Sequence, residues 1–159
     1  QESGQHVIPY VVEPSLGVER TVLSVLCDAY DEEVVDAEKN DVRTVLRLHP
    51  TIAPVKVGVF PLLKNKPELV AKSREVFHQL KGKLNAFYDE AGAIGRRYAR
   101  QDEAGTPFCV TVDFETLEGV KEGPTSGQKD TVTIRYRDDG KQERVAIGDL
   151  LPLLLQKLR

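Results

Sequence analysis

The run Val55-Lys56-Val57-Gly58-Val59-Phe60 is apolar at alternate and at intervening positions, so as a strand it belongs in the middle of a sheet. Pro61 stops it. From there the pattern alternates between helical and extended periods. A helix enters at Asn65-Lys66-Pro67, where proline is tolerated in a first turn, and Leu69, Val70, Val76, Phe77 and Leu80 mark its apolar stripe before Gly82. Residues 84–89 read as a short strand. Gly92 and Gly95 bracket the start of a second helix that runs to Gly105, and residues 107–113 are a third strand. The polar, glycine-rich stretch 119–130 reads as a loop. Residues 130–136 and 143–147 flank Asp138-Asp139-Gly140, a hairpin signal. A last helix turns Leu151, Leu154, Leu155 and Leu158 inward, with Pro152 in its first turn. The order βαβαββα predicts an α/β domain: a mixed five-stranded sheet flanked by three helices, with right-handed crossovers between its parallel strands.

Ahead of this domain, residues 6–13 are apolar and β-branched and predict a strand, with Pro9 favouring an edge. Ser15 is placed to cap a following helix carrying Leu16, Leu23, Leu26, Cys27 and Tyr30 on one face. Neither element has a partner within the chain. Asp31-Glu32-Glu33, Asp36, Glu38 and Asp41 then read as a solvated connector. Charge divides the chain at the same place. Residues 1–41 hold ten acids against two bases, a balance of −8, whereas residues 42–159 hold twenty bases against fifteen acids, a balance of +5. The expected units are therefore 1–41 and 42–159, and the second can accept a nucleic acid locally.

With 40% hydrophobic and 30% charged residues, the 159-residue chain suits a soluble globular fold and excludes a disordered tail. No window reaches the run of about 18 apolar residues a membrane span requires. The chain has no methionine, and its polar start lacks the basic and apolar regions of a secretory signal, so it reads as a piece of a longer protein. Cys27 and Cys109 lie in apolar stretches and are expected as buried thiols, in keeping with a reducing, cytoplasmic setting.

Several apparent motifs carry no chemistry. Residues 123–129 lack the glycine spacing of a phosphate loop, Gly92-Ala-Ile-Gly95 lacks the third glycine of a dinucleotide fingerprint, and His6, His49 and His78 are scattered. No metal site and no catalytic constellation is expected in 42–159, which reads as a binding module. A flavodoxin-like binder fits the βαβ order without a phosphate-loop pattern to support it. Two segments stand out. In Val12-Glu13-Pro14-Ser15-Leu16-Gly17-Val18-Glu19-Arg20, Glu13 suits an ammonium and Arg20 a phosphate, although a capped helix with a surface arginine fits the same spacing. In residues 92–108, Arg96 and Arg100 share a helix face near an anion-favouring N-terminus. A solvated helix pairing Arg96 or Arg97 with Asp102 or Glu103 fits equally well.

Residues 7–20, with Glu-Pro-Ser followed by Gly-x-x-Arg, resemble the third signature motif of class II aminoacyl-tRNA synthetases in its glycyl-tRNA synthetase form. The likeness continues through His49-Pro-Thr-Ile-Ala-Pro-Val-Lys56, Gly95-Arg-Arg-Tyr-Ala-Arg-Gln-Asp-Glu-Ala-Gly-Thr-Pro-Phe108 and Val110-Thr-Val-Asp113, which are similar to the C-terminal anticodon-binding domain of the homodimeric enzymes. The resemblance implies a strand–helix remnant of the catalytic domain, then the anticodon-binding domain. It implies an ATP-dependent ligase, with Mg²⁺, that forms glycyl-adenylate and charges tRNA(Gly). Glu13 and Ser15 would contact glycine, Gly17 and Arg20 the ATP, and Arg96, Arg97, Arg100, Asp102 and Glu103 the anticodon. The first two class II motifs are missing, so the piece alone is expected to be inactive and to hold no cofactor. Its dimer contacts would lie in the missing catalytic domain. A non-enzymatic accessory protein of synthetase descent, binding nucleic acid or a protein partner, is the alternative.

Overall fold

The computed structural model describes residues 4, 6, 8–36, 41–121 and 126–159. Its elements are α1 (Val18–Ala29), β1 (Tyr30–Asp36), β2 (Asp41–Leu46), β3 (Val57–Pro61), α2 (Pro67–Lys81), β4 (Ala86–Tyr88), α3 (Ile94–Glu103), β5 (Phe108–Val112), α4 (Phe114–Glu118), β6 (Thr131–Tyr136), β7 (Gln142–Ala146) and α5 (Ile147–Lys157). Five strands form a mixed sheet in the order β4-β3-β5-β6-β7. Strands β4, β3 and β5 are parallel, whereas β6 and β7 continue antiparallel, with Val59 opposite Val110 and Cys109 opposite Arg135. This is the sheet that the apolar runs predict.

Alternation along the strands gives the sheet two unlike faces. On one face Val57, Val59, Phe108, Val110, Val112, Val132 and Ile134 pack with Leu69, Val76 and Leu80 of α2 and Leu150 and Leu154 of α5. The other face presents Gly58, Phe60, Cys109, Thr111 and Arg135 to α3 and β2. Its buried complement is polar, including Arg97, Gln101 and Asp102. The chain steps from β3 through α2 to β4, then back across β3 through α3 to β5. Reversing direction puts the two helices on opposite faces.

Several local expectations need correction. Residues 8–13 form no strand: an isolated extended segment leaves its backbone groups to water, and among the described residues no strand pairs with it. Val7 lies outside the described residues. Ser15 does not cap α1; Gly17 occupies that position without a side-chain hydrogen bond, and Leu16 precedes the helix. Tyr30 opens β1 and does not continue α1. The acidic stretch is a hairpin, β1 against β2, in which Arg43 pairs with Glu33 and Arg47 with Glu33 and Asp31, two of the acids that suggested a solvated connector. It crosses residue 41. Residues 37–40, including Glu38 and Lys39, are outside the described set, as are 122–125 in the loop before β6. Ahead of that predicted loop, residues 114–118 add α4, started by a capping box in which Asp113 accepts from the Thr116 N–H. Helix α5 begins at Ile147, earlier than predicted, so Pro152 falls past the first turn and leaves the Gly148 carbonyl without its usual donor. Leu150 and Leu154 are its buried residues, while Leu155 is exposed. Cys109 is buried as expected, and burial pushes its thiol up to about 12. Cys27 is exposed.

Two glycines answer to close approaches. A Cβ on Gly58 would stand 2.7 Å from Cζ of the buried Phe60 ring and 3.3 Å from Cγ of Gln101, so glycine lets α3 lie close over β3. Gly105, at φ +76°, ends α3 in the left-handed region, and a Cβ there would meet Leu48 Cδ1 at 2.9 Å. Gly58→Ala is therefore expected to lower stability by about 1–3 kcal/mol through overpacking, read as a lower urea midpoint with unchanged slope. An unchanged midpoint would show that α3 can lift off without cost.

Candidate nucleic-acid interface

The loop after β3 with the start of α2, and α4 after β5, line a pocket that includes Lys66, Glu68, Leu69 and Phe114 at the carboxyl ends of these strands, the usual place for a ligand on such a sheet. The loops there are residues 62–66 after β3, 89–93 after β4, and the start of α4 after β5. Beside it, a buried arginine joins the end of β3 to the loop after β4. Arg97, 1% exposed, donates from one Nη to the Pro61 carbonyl and from the other to the Gly92 carbonyl at 2.8 Å, while its Nε finds no acceptor among the described residues. Burial works against its charge and lowers its pKa, with Asp89 the main charge opposing that shift. Arg97 thus ties the 89–93 loop to the end of β3. It is held inside the protein.

Asp102 is also internal, at 1% exposed. Its Oδ1 accepts from Arg135 Nη1 at 2.9 Å. Its Oδ2 accepts from Arg135 Nη2 at 3.0 Å and from Arg43 Nε at 2.9 Å. The Arg135 guanidinium also lies over the Tyr98 ring, 4.9 Å from its centroid. Asp102 and Arg97, both expected at the anticodon, are thus buried and bonded within the protein, and among the described residues no pairing of Arg96 or Arg97 with Asp102 or Glu103 forms.

The remaining three predicted residues lie on the exposed side of α3. Arg100 donates to the Asp89 carboxylate and to the Ala91 carbonyl, the latter at 2.8 Å, yet its side chain stays 44% exposed. Among the described residues Arg96 and Glu103 make no side-chain hydrogen bond or ion pair, and both are exposed. Asp89 in turn is more acidic than an ordinary carboxyl. Burial raises it, but the Ala91 N–H and Arg100 outweigh that effect.

Several groups at the same edge carried no signal in the sequence pattern. Lys64 and Lys66 are exposed in the loop after β3, and Phe114 is 37% exposed at the start of α4. Behind them Arg144 grips Asp113 through both Nη atoms, at 2.5 and 2.7 Å, and donates to Thr131 and Thr133. Arg144 and Asp113 are 31 residues apart, and the antiparallel pairing of β6 with both β5 and β7 brings them together. The edge thus offers cations and an aromatic face to a ligand. Unpaired nucleic-acid bases stack on aromatic faces, and cations meet their phosphates.

Glu13, Ser15, Gly17 and Arg20 stand apart from this edge. All four are exposed, in the extended segment before α1 and in its first turn. They do not converge with other described groups into a pocket, so these residues alone do not fit ATP or glycine. Val18, Val22 and Leu23 of the same helix are also exposed, and only Ala29 is buried.

The family model for the anticodon binding domain matches residues 56–157. The chain belongs to that family. This anticodon-binding domain is similar to part of the glycine–tRNA ligase of Clostridium kluyveri, 46% identical over 157 residues that cover 99% of this chain and 31% of that protein. It is 50% identical over 150 residues to the glycine–tRNA ligase of Agathobacter rectalis, and 47% identical over 146 residues to that of Borreliella afzelii. These matches cover 94% and 92% of this chain, and 30% of each relative. The chain spans about a third of the length of these relatives. Among the described residues no helix is long and apolar enough to cross a membrane.

Asp113 supplies a pH test of the domain's architecture. Burial raises its pKa, but Arg144 and the Thr116 N–H more than reverse this, leaving it below its ordinary 3.8. A group more acidic in the folded state stabilises the fold above its unfolded pKa and loses that contribution as pH falls toward its folded value. Asp113→Asn is expected to cost about 1–3 kcal/mol at neutral pH. It should also flatten the decline in stability between about pH 5 and pH 3, followed by urea melts across that range. Parallel decline in both proteins would place the acid-sensitive group elsewhere.

Proposed function

We propose that this chain is the anticodon-reading part of a glycine–tRNA ligase and that its binding face for tRNA(Gly) combines the loops after β3 and β4, the start of α4 and the outer side of α3. The observation that carries this reading is the family match over residues 56–157. Its support in the geometry is that α3 holds Arg97 and Asp102 inside and leaves Arg96 and Arg100 turned outward. Arg96, Arg100, Lys64 and Lys66 would meet phosphate or base edges, Phe114 would stack, and Glu103 would accept from a base amino group. On this reading residues 42–159 are the anticodon-binding unit and residues 1–41 belong with the catalytic part, the two being joined by the β1–β2 hairpin that crosses residue 41.

In the whole ligase, ATP with Mg²⁺ and glycine would meet Glu13, Ser15, Gly17 and Arg20 only after further residues close round them. The enzyme would work as a dimer through that further part, in the cytoplasm. The exposed apolar face of α1 supports a missing cover of that kind. Glycine-dependent pyrophosphate exchange by this chain is expected to stay at the no-protein level, because most of the groups that align the reacting phosphate are absent. Exchange clearly above that level would overturn the division of labour.

Binding is the direct test. Stem-loops of glycine tRNA and of an unrelated tRNA are titrated against wild type and Arg96→Ala/Arg100→Ala at several salt concentrations. Wild type is expected to prefer the glycine stem-loop. The double variant should bind at least about tenfold more weakly, with a log–log salt slope shallower by about 0.7 for each phosphate it no longer neutralises. Equal binding by the double variant would remove α3 from the interface. Equal binding of both stem-loops by wild type would move specificity to the rest of the ligase.

A further inference from the structure

We infer that Arg43, on the hairpin and away from the exposed arginines, is a positioning residue that sets the placement of α3 by acting through Asp102. The functional part of this inference rests on α3 being the binding face proposed above.

Helix α3, Ile-Gly-Arg-Arg-Tyr-Ala-Arg-Gln-Asp-Glu, has no leucine stripe, and its buried residues are Arg97, Gln101 and Asp102. Apolar contact permits sliding, whereas hydrogen bonds demand direction and distance. The seat of α3 is therefore fixed at a few points: Arg97 on two carbonyls, Tyr98 Oη at 2.7 Å from Thr111 Oγ1, and Asp102 between Arg135 and Arg43. Arg135 belongs to the same sheet that α3 covers. Arg43 does not. Its Nε donates to Asp102, one Nη to Glu33 at 2.7 Å on β1, and the other Nη to the Arg137 carbonyl at 2.5 Å beside the β6–β7 turn. One guanidinium thus pins helix, hairpin and turn to each other. The hairpin follows directly from α1, and the Arg47 N–H donates to the Ala29 carbonyl where the two meet. Whatever holds α1 and the hairpin is thereby linked to the helix that carries Arg96 and Arg100.

Removing Arg43 leaves Asp102 its two bonds from Arg135, so the fold survives and the effect is local. The experiment compares amide hydrogen exchange of the whole chain in wild type, Arg43→Ala, Asp102→Asn and the double variant. Exchange in α3 is expected to quicken about three- to tenfold in Arg43→Ala, with α2, β3 and β5 unchanged. The double variant should exchange no faster in α3 than Asp102→Asn alone. Arg43→Lys, which keeps a cation near Asp102 but cannot reach three acceptors, should lie between. Unchanged α3 exchange, equal quickening of every element, or additive effects in the double variant would each overturn the inference.

Stem-loop binding supplies the functional readout. Arg43→Ala should weaken binding about three- to tenfold while leaving the salt slope as in wild type, because every phosphate keeps its cation. A shallower slope would mean that Arg43 touches the RNA itself, and unchanged affinity that α3 placement does not govern binding; either result overturns the functional part. If wild type binds no stem-loop, the proposed function fails, while the exchange comparison still decides whether Arg43 positions α3.

Discussion

Asp102 is the carboxylate on which three parts of the fold meet. It is buried beneath a helix with two guanidinium groups directed at it. Such a triad contributes little net stability over an apolar replacement, because desolvating the charges offsets most of their attraction. What it does contribute is geometry. Arg135 comes from β6, Arg43 from β2 and Asp102 from α3, so the three bonds form together only when sheet, hairpin and helix hold one mutual arrangement. Either arginine alone would satisfy part of the carboxylate; both are needed to define where the helix lies.

The two faces of the sheet divide the work of folding. The α2/α5 face is built from valine, leucine, isoleucine and phenylalanine, and it supplies most of the apolar burial. The α3 face is built from arginine, glutamine, aspartate, tyrosine and threonine, and Gly58 lets its helix approach closely. Apolar burial holds the domain together, and directional bonds hold the candidate binding helix in register with it. A helix held this way keeps its outer side chains in fixed positions without an apolar stripe of its own.

Arginine number is a poor guide to ligand contact in this protein. Arg43, Arg47, Arg97, Arg135, Arg137 and Arg144 are all engaged internally with carboxylates or carbonyl oxygens. The +5 balance of residues 42–159 therefore overstates the positive charge available to a polyanion. At the candidate interface, the charge that remains turned outward sits in the loop after β3 and on one side of α3.

Sequence alone determined the parts governed by period and by local chain chemistry. The five strands of the main sheet, α2, α3 and the β6–β7 turn were legible because alternation, a 3.6-residue stripe and Asp-Asp-Gly act over short distances. The arginine-rich segment was visible as a candidate site for the same reason. Tertiary structure alone decided which of its residues face outward, since Arg97 and Asp102 differ from Arg96 and Glu103 only in what lies across from them. It turned an acidic connector into a hairpin, because Arg43 and Arg47 become partners of Glu33 and Asp31 only when two strands align. It also left residues 8–13 without a strand, because β pairing requires a neighbour that local sequence cannot supply.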